Sequence, residues 1–84
     1  VNIFDQQITP MKERIKINRI KSILIEKDMT QKELAGRIGR TPTSVTRICN
    51  NDSQPALGLL RTIALELNVD IRELLVPTPV RKED

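Results

Sequence analysis

The sequence predicts an all-α domain of short helices, and three observations carry that expectation. Apolar residues recur three and four apart, as in Leu34, Ala35 and Ile38, then Val45 and Ile48, then Leu57, Leu60, Ile63, Ala64 and Leu67. That is the spacing of one helical face. Start signals stand at the right offsets: Thr30 with Glu33, Thr41 with Pro42, and Asp70 with Glu73. Stop signals follow at Gly39, Asn68 and Pro77. With 84 residues, one Phe and no Trp or Tyr, the core must be built from Ile, Leu, Val, Ala and Met. A single small helical domain of modest stability is the expectation.

Taken in order, helix 1 is expected from about Lys12 to Lys27, with Ile20 and Ile23 inward and Ile17 and Leu24 as further inward candidates. Asp28 occupies the turn, where its short polar side chain tolerates a left-handed backbone. Helix 2 opens at Thr30: its hydroxyl can cap, Glu33 can reach back to the Thr30 amide, and Met29 with Leu34 forms a hydrophobic staple. Gly39 ends it, because glycine adopts the left-handed conformation without a Cβ clash. Thr41 caps helix 3, and Pro42 suits a first position whose amide has no intrahelical partner. Val45 and Ile48 point inward, leaving Thr43, Ser44, Thr46 and Arg47 outward. Turn-forming residues from Asn50 to Pro55 make a loop, and helix 4 then runs to Asn68. A last short helix from Asp70 through Leu75 ends before Pro77, and a charged tail from Arg81 to Asp84 is expected to fray.

Met29 to Asn50 therefore reads as two capped helices joined at a glycine, the second with a polar outer face. This is the pattern of a DNA-reading helix-turn-helix. A small polar face on a lone helix signifies only a solvated surface; the partner helix in register is what favours DNA reading. Charge agrees: Lys12 to Arg47 holds ten Lys or Arg against four acids, whereas Ile48 to Asp84 holds four against six. The overall +3 thus hides a basic half that coincides with the motif, as a phosphate partner requires. Individually, Lys12, Arg14, Lys16, Arg19 and Lys21 can instead serve only to solubilise helix 1.

Other classes find little support. The chain has no His and a single Cys, which argues against metal sites and histidine-based catalysis. No phosphate loop or recognisable carboxylate pair is present, so neither an enzyme nor a cofactor is expected. With no apolar run of bilayer length and no leader pattern, the expectation is a soluble, cytoplasmic protein with no membrane partner. No second domain for a small-molecule signal is evident.

From Ile20 to Leu75 the sequence resembles the phage-repressor and Cro-like helix-turn-helix proteins, the xenobiotic-response-element family of transcriptional regulators. The resemblance rests on Thr30-Gln31-Lys32-Glu33-Leu34-Ala35, on Ser44-Val45-Thr46-Arg47-Ile48, and on Leu67-Asn68-Val69-Asp70-Ile71-Arg72-Glu73-Leu74-Leu75. It implies a compact five-helix, lambda-repressor-like domain whose second and third helices form the motif, with the third in the major groove. The expected organisation is an arm over 1–11, the DNA-binding domain over 12–76 and a tail over 77–84.

The resemblance also implies residue roles. Thr43 and Ser44 match positions that meet base edges, and Pro42 matches another, where it offers only shape or apolar contact. Arg47 either forks onto guanine O6 and N7 or clamps a phosphate; the first is worth roughly 1–3 kcal/mol of discrimination. Gln31 matches a phosphate-binding position at the start of helix 2, and otherwise is an ordinary exposed residue. Thr41 and Asn50 match backbone-contacting positions, or are only cap and turn residues, and Thr46 is grouped with them on the outward face. Arg40, where the family is usually apolar, either adds a phosphate contact or lies on the surface with its stem packed. At positions 24 and 49 the family commonly pairs Arg with Glu; Leu24 and Cys49 are expected to pack instead. A redox role for Cys49 is the alternative.

Helix 4 departs from the family at its start, with Ala56 for a capping Ser and Gly58 for Glu, a loss of roughly 1–3 kcal/mol in the first turn. Leu59 and Leu65 stand at usually polar positions, and with Leu75, Val76 and Val80 they suggest an apolar dimer surface. Alternatively, Val1, Ile3, Phe4 and Ile8 fold back to cover it. The function expected is a sequence-specific double-stranded-DNA-binding regulator, a homodimeric repressor on an inverted repeat. The alternative is an antitoxin or restriction-modification controller that binds a partner protein.

Overall fold

Residues 15–80 are described by a computed structural model, in which the chain forms α1 (Ile20–Glu26), α2 (Gln31–Ile38), α3 (Pro42–Cys49) and α4 (Leu57–Leu67). A 3-10 turn over Ile71–Leu74 follows α4. Among the described residues there is no strand, only an isolated antiparallel bridge between Asn18 and Leu75. The all-helical expectation holds there. The fifth helix expected from the resemblance is only the single 3-10 turn.

Local signals explain α2 and α3. The Glu33 amide donates to the Thr30 hydroxyl at 3.0 Å and the Thr30 amide to the Glu33 carboxylate at 2.9 Å, a complete capping box. Gly39 ends α2 at φ 71°, and the Arg40 amide then donates to the Ala35 carbonyl at 2.9 Å. Thr41 caps α3 by accepting from the Ser44 amide at 3.1 Å, with Pro42 opening the helix. Asp28 and Asn68 take the left-handed turns at φ 55° and 57°. Ala56 gives α4 no side-chain cap.

These helices close around one core. Ile20, Ile23, Leu34, Val45, Ile63 and Leu74 are almost wholly buried, with Leu24, Ala35, Ile48, Cys49, Leu60, Ala64 and Leu67 around them. Burying each large aliphatic side chain contributes about 1.5–3 kcal/mol. Met29, Ile38, Leu59 and Leu75 pack partly buried at its edge. α2 packs on both α3 and α4, so the second helix of the motif is anchored from behind.

Four expectations are corrected. Helix 1 does not extend back through residues 15–19: there the backbone is not helical, residues 17–19 pair with residues 74–76, and Ile17 is 48% exposed rather than inward. Periodicity missed this because the alternative backbone partners lie far along the chain. Leu57, expected inward, is 76% exposed: it is the first residue of α4, one turn before Leu60, where the core has already ended. Asp70 does not form a capping box with Glu73; its carboxylate accepts from the Arg72 amide at 2.8 Å and from its guanidinium at 3.1 Å. The shorter loop thus made suits a 3-10 turn rather than an α-helix. Expectations for the 1–11 arm, for Lys12 and Arg14, for the covering role of Val1, Ile3, Phe4 and Ile8, and for Arg81 to Asp84 lie outside the described residues.

Candidate nucleic-acid interface

One face of α3 is spent on the core. Val45, Ile48 and Cys49 are buried, which forces Pro42, Thr43, Thr46 and Arg47 to the opposite, exposed face, with Ser44 half-buried between them. Thr41, Thr43, Ser44 and Arg47 come together around an open depression of about 360 Å³ beside this face. Ser53, from the loop after α3, completes its lining. The Asp52 and Ser53 amides both donate to the Arg47 carbonyl, at 2.9 and 3.3 Å, so the chain folds back over the helix. No periodicity marks such a residue; the cluster of turn formers was its only signal.

The remaining candidates flank this face. Gln31, half-buried at the start of α2, accepts a hydrogen bond from the Thr46 hydroxyl at 2.8 Å through Oε1, which keeps both Nε2 protons for another acceptor. Asn50 is exposed at the far end of α3, its amide donating to the Thr46 carbonyl at 2.9 Å. Arg40 is exposed between the two helices, and Pro42 is exposed without lining the depression.

Among the described residues three arginines are already paired. Arg19 pairs with Glu26 at 3.6 Å, Arg37 with Glu66 at 3.7 Å and Arg72 with Asp70 at 3.1 Å. Among the described residues neither Arg40 nor Arg47 forms an ion pair. Their charge is available to a polyanion. Glu33 is held below the usual carboxylate range chiefly by the Thr30 backbone N–H, helped by the Thr30 hydroxyl.

Cys49 lies on the buried side of α3, 4% exposed, in the same core as Leu24. Burial pushes its thiol pKa up, against a smaller opposing pull from Lys21, so the group stays protonated. Among the described residues no group of His, Cys, Asp and Glu could hold a metal ion, and no helix is long and apolar enough to cross a membrane.

The candidate association residues divide. Leu65 is 62% exposed on α4 and Val76 also reaches solvent, whereas Leu59 and Leu75 are half-buried against the chain's own core. Val76 shares an open groove of about 240 Å³ with Ile15, Ile17, Pro77 and Pro79.

The sequence model of the helix-turn-helix family matches residues 20–74. Among solved structures, a Bacteroides fragilis protein described as a candidate DNA-binding protein is 42% identical, with a TM-score of 0.71 over 74% of this chain and 100% of that one. The hypothetical transcription factor NHTF from Neisseria is 27% identical, with a TM-score of 0.64 over 70% of this chain and 68% of that one. The SOS-response transcriptional repressor LexA from Eubacterium rectale, 21% identical with a TM-score of 0.65 over 79% of this chain and 70% of that one, shares the fold. No curated protein matches the chain.

Proposed function

This chain belongs to the helix-turn-helix family, and on that premise we propose that it is a DNA-binding transcriptional regulator that lays α3 in the major groove of double-stranded DNA. The observation that carries the reading is the two-sidedness of α3: Val45, Ile48 and Cys49 buried, with Thr43 and Arg47 exposed around one depression. A helix so anchored can present its outer face to base edges without losing its packing. The structural neighbours described as a candidate DNA-binding protein and a transcription factor support the same reading.

In this reading Arg47 donates to guanine O6 and N7, Thr43 and Ser44 make shorter-range contacts to base edges, and Pro42 adds shape. Gln31, Thr41, Thr46, Asn50 and Arg40 hold the phosphate backbone, with the Gln31 side-chain amide and the Arg40 guanidinium as the principal donors. Residues 12–76 act as the reading unit. One such helix spans too few base pairs for a selective site, so the protein works as a cytoplasmic homodimer on an inverted repeat, with half-sites about 34 Å apart. Leu65 and Val76 supply exposed apolar surface for that association, with Leu59 and Leu75 at its base. Such a dimer would act as a repressor by occupying its operator.

Selection of bound sequences from random duplex DNA tests the reading. The expected result is a two-fold symmetric motif that loses information at one position in each half-site in Arg47→Ala. A wild-type protein that enriches no motif refutes it.

A further inference from the structure

The segment before α1 carries a buried polar side chain that the reading face does not use. Asn18 is 3% exposed, and its Nδ2 donates to the Ile48 carbonyl near the end of α3 at 3.0 Å and to Gln54 Oε1 at 2.8 Å. Its Oδ1 accepts from the Ile20 amide at 3.1 Å. Its side-chain hydrogen bonds are thus directed at the start of α1 and at the turn behind the reading helix.

Asn51 grips the same segment from the other side. Its Oδ1 accepts from the Ile17 and Asn18 amides at 2.9 and 3.0 Å and from Gln54 Nε2 at 2.9 Å, while its Nδ2 donates to the Asn18 carbonyl at 3.1 Å. The carboxamide thereby pairs with the N–H and C=O of Asn18 as a neighbouring strand would. The opposite edge is taken by real backbone, with the Arg19 amide donating to the Leu74 carbonyl and the Val76 amide to the Ile17 carbonyl, each at 2.8 Å. To do this Asn51 adopts φ 61°, a conformation that asparagine accepts more readily than most residues. The next two amides are those that close onto Arg47 and bring Ser53 to the depression.

We infer that Asn51, locked against Asn18 and Gln54, is a positioning residue for sequence reading: it holds the turn after α3 so that Arg47 and Ser53 face DNA in one fixed arrangement. The inference rests on the DNA-reading proposal above. Positioning affects the tight, geometry-dependent contacts to bases more than the charge-driven contacts to phosphate, so selective binding falls while non-selective binding stays.

The test is Asn51→Gly, which keeps the left-handed backbone and deletes the carboxamide, beside Gln54→Ala at the exposed edge of the cluster and Ile63→Val as a core control. Affinities for the wild-type-selected operator and for a scrambled duplex are measured at a temperature where circular dichroism shows each variant fully helical. The expected ratio of the two affinities drops about tenfold in Asn51→Gly, drops less in Gln54→Ala and is unchanged in Ile63→Val. Amide exchange at Asp52 and Ser53 should quicken in Asn51→Gly while exchange in α2 stays at the wild-type rate. A folded Asn51→Gly protein with the wild-type ratio overturns the positioning role alone. A wild-type protein that prefers no duplex overturns it together with the DNA-reading proposal.

Discussion

The Thr46 hydroxyl donates to Gln31 Oε1 across 2.8 Å and so ties the outer face of α3 to the first turn of α2. The bond fixes which end of the Gln31 carboxamide remains to donate. Gln31→Glu keeps an acceptor for Thr46 but replaces the NH₂ with negative charge. Its affinity should fall about tenfold on every duplex, with the base preference intact. Anisotropy titrations on operator and scrambled DNA check this, and a changed preference would assign Gln31 to base reading instead.

Arg47→Lys separates the two roles open to that residue. Lysine keeps the charge but has no planar fork. If Arg47 reads guanine, discrimination at one position per half-site falls by roughly 1–3 kcal/mol while scrambled-DNA affinity is little altered. Competition binding with single-base operator variants measures it; full retention of discrimination would make Arg47 a phosphate clamp.

The weak start of α4 can be repaired. Ala56 provides no side-chain cap, and a Cβ at Gly58 meets nothing within 4 Å. Ala56→Ser should stabilise by about 0.5–2 kcal/mol, and Gly58→Ala by about 0.5–1 kcal/mol. Each kcal/mol raises Tm by roughly 4–8 °C in a domain of this size. Thermal unfolding followed by circular dichroism reads both, and a fall in Tm for Gly58→Ala would mean that glycine is needed there.

Glu33 makes stability pH-dependent in a defined direction. Its folded pKa is depressed by the Thr30 N–H and hydroxyl, so its contribution is present above the unfolded carboxylate pKa and is lost as pH falls through the folded one. Urea midpoints should therefore decline on acidification through and below the ordinary glutamate range. Glu33→Gln should flatten part of that decline, since a carboxamide oxygen can still accept from Thr30; an unaltered acid limb would deny Glu33 this role.

Burial of Cys49 makes its modification a gauge of opening. Alkylation by a neutral maleimide should proceed only as fast as the core exposes the thiol, and it should accelerate in urea in step with unfolding. Rapid labelling of the folded protein would place the thiol at the surface.

The helix-turn-helix was legible because its signals are local. Thr30 and Glu33, Gly39, and Thr41 with Pro42 act over three or four residues, and each does in the fold what its spacing suggests. Leu34, Val45, Ile63 and Leu67 likewise lie on the buried faces that their periodicity marks. Leu57 was misread because a stripe continued by spacing alone ignores where the core stops. Ser53 and Asn51 were silent because turn residues carry no period.

By itself the sequence determined the helical class, the sites of capping and turning, and the outer face of α3, since these follow from interactions within one turn of chain. Tertiary structure alone decided that residues 15–19 stay out of helix, that Asn18 is buried, and that the turn after α3 bends over Arg47. Asn18 and Asn51 stand 33 residues apart, and their pairing satisfies backbone groups that helix would otherwise have claimed. Which partner a backbone amide takes is a contest between local and distant acceptors, and only the folded chain contains the distant ones.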